Sequence, residues 1–293
     1  LGMGAAFNHQ YRFAAAESVE KDKIPKAVST LLLAGIVSAF LGITLANYTK
    51  DLIQDQLYVG SYLLLSFLSF MPGVFLFFFK NVENVQEDSL KEGNVRNLKS
   101  IVLQPRFLQA ITAAAFAYAV MSFLMTATPL SMHVMENMSL KETGLVLQFH
   151  VVAMFLPSLI TGNLIKKYGH SAIIYGGVLF FFITVLLSLF EQTYLNYMLS
   201  LIFLGLGWNF LFISGTSLVV LTYNKEEKFK VQGINDLIVF STMALASLSA
   251  GILLNSIGWK MMNLICIPFL VLIIFVSYMA VSYTHLTLPT NGC

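Results

Sequence analysis

The stretch at residues 80–106, KNVENVQEDSLKEGNVRNLKSIVLQPR, is the one long hydrophilic segment of this chain and decides how the rest is interpreted. It carries five basic and four acidic side chains, whereas the sequence on both sides of it is mostly apolar. This pattern does not fit a soluble protein core. It fits two membrane-embedded halves that are joined by a polar connection. We therefore take residues 80–106 as a linker between two hydrophobic units.

The overall composition of the chain is that of a membrane protein. Of its 293 residues, 57% are hydrophobic and only 11% are charged, and the mean hydropathy is +0.76. Globular domains average about 25% charged residues. The net charge of +2 indicates no nucleic-acid partner. The two cysteines, Cys266 in an apolar run and Cys293 at the end, give neither a disulfide framework nor metal-ligand spacing.

Nine apolar spans are predicted, each as a helix, because lipid offers no water to unpaired backbone groups and no alternating barrel pattern is present. Runs of about 20 apolar residues are long enough to cross a hydrocarbon core of roughly 30 Å. The spans are 1–17, 27–48, 57–79, 107–132, 143–165, 171–190, 194–222, 231–255 and 261–281. The predicted fold class is therefore all-α, a polytopic transmembrane helix bundle.

The basic residues predict which side of the membrane the linker faces. When the connections are assigned to alternate sides, only Lys50, Lys141 and Lys260 of the 17 Lys and Arg residues fall on the side opposite the linker. Lys and Arg accumulate in cytoplasmic loops. We therefore expect a cytoplasmic linker in a multi-pass protein of the plasma (cytoplasmic) membrane.

The two sides of the linker carry a similar order of features. A Leu-Gly-x-Gly motif opens the first span at residues 1–4 and recurs at residues 204–207, and each copy is followed by a charged connection. The next span then has small residues at every fourth position, which let membrane helices approach closely. These residues are Ser38, Gly42 and Ala46 in one copy and Thr242, Ala246 and Ala250 in the other. Chance recurrence of Gly and Ala is the alternative, but the shared order favours homologous halves.

Homologous halves make the number of spans unequal. Six spans follow the linker and three precede it, so about nine of twelve are expected to be present, with three further helices before Leu1. At the other end, residues 282–293 follow the last apolar run with a polar sequence that no structural pattern explains. They resemble translated adapter sequence. An ordinary polar tail is the alternative, and a non-native tail is our expectation.

The connection after the fifth span contains a short motif at residues 162–170, GNLIKKYGH. It resembles the cytoplasmic loop signature of the major facilitator superfamily, in which a Gly is followed by an acid–base pair, a second Gly and basic residues. Gly162, Lys167 and Gly169 match that signature. Lys166 stands where the family usually has Asp, and His170 where it has Arg or Lys. The resemblance implies a gating loop here, but one that lacks the usual acid.

The arrangement of the whole chain also resembles this superfamily, which has six plus six helices and a central cytoplasmic linker. Gly2 and Gly4 are similar to its glycine-rich fourth helix. The resemblance implies four segments: a partial N-terminal half with helices 4–6 at 1–79, the linker at 80–106, a C-terminal six-helix half at 107–281, and the tail at 282–293. Because both loops are expected to be cytoplasmic, Lys166 and Lys167 should lie near the acids of the first connection, which are Glu17, Glu20 and Asp22.

Polar side chains within the spans are the candidate site residues, since an ionisable group in hydrocarbon costs about 2.5–3.5 kcal/mol on insertion scales. The first span contains Asn8, Gln10 and Arg12, and Asn8 and Arg12 share a helix face. Two interpretations of Arg12 remain open. It faces a cavity or gate, or it snorkels to the nearby interface.

Further candidates lie after the linker. His150 beside Gln148 suits proton coupling, and a structural hydrogen bond is the alternative. The mid-span pair Trp208 and Asn209 fits a planar substrate or packing between helices. Asp236, near the start of the eighth span, favours a gate or proton path, or merely a helix N-terminus. We predict that Arg12 and His150 face a common cavity, with Asn209 near it and Asp236 toward its cytoplasmic end.

No nucleotide-binding loop, metal-ligand cluster or nucleophile–base set is visible, so the sequence predicts no enzyme, no cofactor and no metal. The leading interpretation is a monomeric secondary active transporter in the lipid bilayer, which moves a small-molecule substrate by alternating access, with protons as a candidate coupling ion. A transporter-like sensor or assembly protein without transport is the alternative. A membrane subunit of an ATP-driven pump is a third class.

Overall fold

The computed structural model describes residues 2–54, 56, 58–78 and 96–287, in which helices are joined by short turns and no strand occurs. Short 3-10 turns precede α2 and α11, and a π-helical turn, Leu130–Met135, follows α6. The α-helices are α1 Gly2–Glu17, α2 Ile24–Leu32, α3 Ala34–Thr49, α4 Val59–Phe77, α5 Leu98–Val102, α6 Pro105–Pro129, α7 Leu140–Phe155, α8 Ser158–Tyr168, α9 His170–Ser188, α10 Tyr194–Val220, α11 Lys228–Ile265 and α12 Ile267–Thr287. The predicted all-α fold class is confirmed.

Six stretches of the described residues are long and apolar enough to cross a membrane. They are Lys21–Ala46, Pro105–Met135, Leu140–Tyr168, His170–Ser188, Tyr194–Val220 and Lys225–Tyr283. The sequence predicted nine because it also counted α1, which has 16 residues, and the shorter apolar helix Val59–Phe75. It also divided the last stretch in two. Gly258, with a φ of 76°, interrupts the helical backbone there, so the stretch consists of two helical segments.

Two of the predicted spans are bent. The second span is divided into α2 and α3 at Leu33, and the fifth into α7 and α8 at Pro157. Proline lacks the N–H for the helical hydrogen bond and its ring clashes with the preceding turn, so it accounts for the second bend.

Polar residues fix where α7 and α10 begin. Ser139 and Glu142 form a capping box, in which the backbone N–H of Ser139 donates to the Glu142 carboxylate at 2.9 Å. The hydroxyl of Thr193 accepts from the backbone N–H of Asn196 at 3.3 Å. Such caps satisfy backbone donors that the helix leaves unpaired. They set the register of the two helices that carry His150 and Asn209.

Helix α10 lies at the centre of the bundle, with α6, α7 and α9 packed around it. Two of its glycines allow this close contact. A Cβ atom on Gly205 would lie 2.7 Å from the carbonyl oxygen of His150, and one on Gly215 would lie 2.7 Å from that of Ala110. Because those neighbours are backbone atoms, α10 can approach α7 and α6 this closely only with glycine at these positions.

The segment before the linker packs on the segment after it through α2 and α8. Gly162, the first glycine of the loop motif, lies in this contact, since its Cβ would come within 2.7 Å of the Lys26 Cα. The Ser29 hydroxyl donates to the carbonyl of Ser158 and accepts from the Gly162 N–H at 3.3 Å. The first glycine of the motif therefore serves helix packing between the two segments.

The outer surface of the bundle is apolar. Large hydrophobic side chains are exposed along α4, α11 and α12, including Phe67, Phe70, Leu245, Leu248 and Phe275. Exposed apolar surface on this scale is a liability in water and is normal in contact with lipid. The bundle is therefore that of a multi-pass membrane protein.

The predicted segment boundaries fall partly outside the described residues. Residues 80–95 of the linker and residues 288–293 of the tail are not among them. Helix α12 continues past residue 281 to Thr287. The division into segments at 79/80 and 281/282 stays a prediction.

Candidate functional site

One polar contact between the two segments is an ion pair of Arg12 on α1 with Asp236 on α11, in which Arg12 is buried and Asp236 is partly buried. The guanidinium of Arg12 donates to Oδ1 of Asp236, and the Arg12 side chain is 3% exposed. Gln10 donates to Oδ2 of Asp236 at 2.7 Å, and Asn235 donates to Oδ1 at 3.0 Å. The structure thus brings three of the predicted site residues, Gln10, Arg12 and Asp236, into one cluster.

The Arg12 guanidinium lies among aromatic rings. Its central carbon is 4.7 Å from the ring centroid of Phe13, 5.0 Å from that of Phe212 and 5.9 Å from that of Phe240. Within the described residues, Nε and Nη1 of Arg12 have no hydrogen-bond partner. The cation is therefore held by one carboxylate and by ring faces, whose quadrupoles attract it.

A second polar contact surrounds Glu17, the last residue of α1. Its carboxylate accepts from the hydroxyl of Tyr223 at 3.1 Å, from Lys228 at 3.2 Å and from Gln232 at 2.6 Å. The Tyr223 hydroxyl also accepts from Gln232 at 2.6 Å. Burial raises the pKa of Tyr223, so its phenol remains a neutral donor. This contact lies where α1 ends and the α10–α11 connection begins, which we name the linker end of the bundle.

The loop motif contributes a third contact at the linker end. Lys166 donates to Asp22 at 2.8 Å, and both side chains are more than half exposed. The predicted proximity of these loops is confirmed for Lys166. The ammonium of Lys167 instead lies 4.9 Å from the ring centroid of its neighbour Tyr168. Gly169 has a φ of 83°, which favours glycine, and it ends α8.

The last part of the linker is fastened to the α10–α11 connection. The Arg96 guanidinium binds Glu227 through Nε at 2.9 Å and Nη2 at 2.6 Å, and the Arg96 backbone N–H adds a bond of 2.9 Å. Nη2 also donates to the carbonyl of Thr222 at 3.0 Å. The hydrogen bond with Glu227 raises the pKa of Arg96. Such a bidentate pair fixes orientation as well as distance.

An aromatic cluster lies deeper in the bundle. We define it as Tyr118, Trp208, Phe212 and Phe240 together with His9. Tyr118 meets Trp208, Phe212 and Phe240 edge-on, at centroid distances of 5.3, 5.0 and 5.8 Å. Trp208 stacks on Phe212 at 4.8 Å, and His9 lies 4.4 Å from Phe240.

Three rings of the cluster share one depth. At 1.5 Å per residue, Tyr118 lies about 20 Å from the start of α6. By the same measure Trp208 and Phe240 each lie about 18 Å from the linker-end termini of α10 and α11. These three rings are therefore near the middle of the membrane-spanning helices, whereas Phe212 lies at the level of the Arg12–Asp236 pair, nearer the linker end.

The structure places His150 in a helix contact on the far side of α10's midpoint. Its side chain is fully buried and its Nδ1 bonds the carbonyl of Leu201 at 2.7 Å. Leu201 is about 16 Å along α10 from Phe212, which Arg12 contacts. The structure does not bring Arg12 and His150 together, because the two side chains pack at different levels of α10, and their common cavity stays a prediction. Gln148 is half-buried on α7, and the side chain of Asn8 lies outside the described residues.

Asn209 connects α10 to the bend of the fifth span. Its Nδ2 donates to the Met154 carbonyl at 2.6 Å and to the Ser158 hydroxyl at 2.7 Å, and its Oδ1 accepts from Thr161 at 2.7 Å. These partners lie before and after Pro157. The packing interpretation of Asn209 thus has specific contacts, whereas Trp208 belongs to the aromatic cluster.

Sequence reasoning did not single out Tyr118, Tyr223 or Phe240, nor the pairing of Arg96 with Glu227. Aromatic residues are too common in membrane helices to stand out. The Asn224-x-x-Glu227 spacing, which forms a capping box, was a usable signal for Glu227. No group of three or more His, Cys, Asp or Glu that could hold a metal occurs in the described part of the chain.

Comparison with known proteins places this architecture in a family. The Major Facilitator Superfamily model matches residues 1–235 and 130–291. The riboflavin transporter RfnT of Brucella anthropi is 35% identical over 273 residues, covering 93% of this chain and 68% of that protein. The uncharacterized MFS-type transporter YdeG of Bacillus subtilis is 26% identical and covers 90% of this chain and 64% of that protein.

A solved structure has the same fold. A bacterial homologue of the iron transporter ferroportin, crystallised in an outward-facing state, superposes with a TM-score of 0.68 at 17% identity, covering 92% of this chain and 66% of that one. This chain thus spans about two thirds of the length of the relatives it matches. With a family match along almost its whole length and these relatives, the chain belongs to the Major Facilitator Superfamily.

Proposed function

We propose that this chain belongs to a secondary active transporter that moves a small solute across the cytoplasmic membrane by alternating access. The observation that carries the proposal is the Arg12–Asp236 pair. It joins the segment before the linker to the segment after it at one end of the bundle. A contact of this kind closes one side of a transporter while it is formed and opens that side when it is broken.

The chemistry of the contact supports a reversible closure. Burying an ion pair is costly, and well-packed apolar side chains of similar size often stabilise a fold as well or better. When α1 moves away from α11, however, water hydrates both charged groups, whereas separated apolar surfaces would resist exposure. The Glu17 contact and the Lys166–Asp22 pair have the same property. Three polar contacts at the linker end therefore act as a gate.

The side that this gate closes follows from the distribution of Lys and Arg. The basic residues are concentrated in connections on the side of the linker, which favours the cytoplasm for that side. In the present conformation the cytoplasmic gate is formed, so we assign an outward-facing or occluded state. Opening toward the cytoplasm requires α1 to separate from α11 and α2 from α8.

The substrate we propose is a flat heterocyclic compound, with riboflavin as the first one to test. The support is the riboflavin transporter of Brucella anthropi, which is 35% identical over 93% of this chain. The mid-depth aromatic cluster supplies surfaces on which a flat ring stacks, and aromatic pairs contribute about 0.5–1.5 kcal/mol beyond their buried area.

The test is uptake of radiolabelled riboflavin by riboflavin-auxotrophic bacteria that lack their own importer and express the complete gene product. We expect growth at low riboflavin and saturable uptake, both abolished by Asp236→Lys, which places two cations at the gate. An Asp51→Lys variant is the matched control, because Asp51 is exposed and belongs to none of the three gate contacts. If cells that express the wild-type protein take up no more riboflavin than cells with the empty vector, the proposed substrate is overturned.

A further inference from the structure

The aromatic cluster contains polar hydrogens that its own packing does not satisfy. Trp208 is 1% exposed and its Nε1 has no hydrogen-bond partner among the described residues, and the same is true of Nε and Nη1 of Arg12. A buried donor without an acceptor costs free energy, and proteins leave few of them. Both side chains lie against the ring of Phe212, so the unsatisfied donors belong to one site.

The cluster is not closed on every side. His9 and Phe240 are half-buried, and Gln10 beside them is exposed, whereas Trp208 and Phe212 are fully buried. His9 and Phe240 lie on α1 and α11, which belong to the two segments that separate when the gate opens. A molecule that enters between these helices therefore meets His9 and Phe240 first, with the donors of Arg12 and Trp208 behind them.

The geometry favours flat ligands over extended or round ones. The Tyr118 ring meets Trp208, Phe212 and Phe240 at interplanar angles of 83°, 84° and 69°. Ring edges carry partial positive charge and faces partial negative charge, so these rings present both edges and faces that a flat aromatic ring can pack against. The unsatisfied groups of Trp208 and Arg12 are all donors, and Oδ1 of Asn235, beside Asp236, is an acceptor without a partner among the described residues. The complementary ligand is a flat ring that carries hydrogen-bond acceptors on its edge.

We propose that the aromatic cluster and Arg12 form the substrate site, and that they recognise a flat heteroaromatic ring with carbonyl or ring-nitrogen acceptors. His9 and Phe240 contact the ring face, while Arg12 and Trp208 donate to the edge acceptors. The inference rests on the proposed transport function, which it deepens by assigning the residues and by making the ring, not a polar chain attached to it, the recognised part. Arg12 then has two roles, since it also holds Asp236 in the gate.

Binding to the purified complete protein in detergent tests this assignment, with quenching of ligand fluorescence as the readout. Three probes separate the parts of the ligand: riboflavin, lumichrome, which has the same three fused rings in the alloxazine form and no ribityl chain, and ribitol, which has the chain alone. We expect lumichrome to displace riboflavin and ribitol not to displace it. Displacement by ribitol but not by lumichrome would refute recognition through the ring.

Conservative variants test the donors and the stacking surface. Trp208→Phe keeps a ring but removes the N–H, and Arg12→Lys keeps a cation for Asp236 but removes the planar fork. Each should weaken riboflavin binding about five- to tenfold, the loss expected for one hydrogen bond. Phe240→Leu should weaken it by a similar factor, whereas Phe229→Leu, an exposed position on the same helix, should have no effect.

The outcomes separate this inference from the proposed transport function. Unchanged binding in Trp208→Phe and Arg12→Lys, with elution volume and thermal stability like those of the wild type, overturns the site assignment even if uptake is normal. Binding of riboflavin and lumichrome without uptake by cells overturns the transport function and leaves the site. If neither riboflavin nor lumichrome binds the wild-type protein, the assignment is wrong whatever other solute is transported.

Discussion

Replacing Asp236 by Asn should open the linker end of the bundle. The substitution keeps the size and an oxygen acceptor but removes the charge that balances Arg12. Because Arg12 is 3% exposed, its cation would then remain buried without a counter-ion while the gate is closed. Loss of one partner of a buried pair costs about 3–5 kcal/mol. We take the lower value, about 3 kcal/mol, since the amide oxygen still accepts a hydrogen bond.

That cost falls on the closed state alone, because water reaches both groups when α1 and α11 separate. A loss of about 3 kcal/mol shifts the closed–open equilibrium roughly 100-fold toward the open form. The assay is the rate at which a maleimide modifies a single cysteine at Ala16, which is fully buried at the linker end. Cys266 and Cys293 are replaced in this background, so that the cysteine at position 16 is the one that reacts.

Two further variants make the test specific to the pair. Arg12→Gln combined with Asp236→Asn removes both charges and should return the modification rate most of the way to that of the wild type. Asp22→Asn breaks an exposed pair worth about 0–1 kcal/mol and should raise the rate at most about fivefold. A rate in Asp236→Asn that equals the wild-type rate, or a double variant as reactive as the single one, would refute the reasoning.

Further outcomes are expected for other contacts. Asn209→Ala should lower the free energy of unfolding by about 2–3 kcal/mol, measured in mixed detergent, because it leaves several buried partners unpaired; unchanged stability would exclude Asn209 as a structural connection. Glu227→Gln should make the chain near Arg96 more sensitive to trypsin, and an unchanged digestion pattern would contradict the clamp. His150→Asn should keep the pH profile of uptake, because an amide can also donate to the Leu201 carbonyl; a shifted profile would restore the proton-carrying hypothesis. Gly162→Val should raise modification at position 16, since its Cβ meets the Lys26 backbone, and equal reactivity would argue against α2–α8 contact in the gate.

The fold was accessible from the sequence because membranes impose simple rules. Apolar run length and the position of residues 80–106 were sufficient for a helical bundle in two segments. The number of spans was less certain because it depends on local interruptions. Gly258 divides one apolar stretch through a positive φ, and Pro157 bends another, and hydropathy detects neither.

The candidate site could be predicted only in part from the sequence. Arg12 and Asp236 were identified because a charge within an apolar span needs a partner, and each is the other's partner. His150 and Asn209 satisfied the same criterion, but their partners are backbone carbonyls and hydroxyls of neighbouring helices. A sequence shows that a polar group needs compensation without showing which neighbour supplies it. In the aromatic cluster Trp208 was identified by its mid-span position, whereas the Phe and Tyr members gave no signal, because Phe and Tyr are ordinary in lipid-facing helices.

The hydrogen bonds of Asn209 have a mechanical consequence for the bent helix pair α7 and α8. Proline bends are often regarded as hinges, yet here one amide of α10 holds the carbonyl before the bend and the hydroxyls after it. The angle between α7 and α8 is therefore held from both sides of the bend. A displacement applied at Gly162 should therefore be passed to the outer end of α7 rather than taken up as a change of angle at Pro157. A change in angle at Pro157 would require either the Met154 bond or the two bonds after the bend to break, so α7 and α8 should turn as one rigid unit.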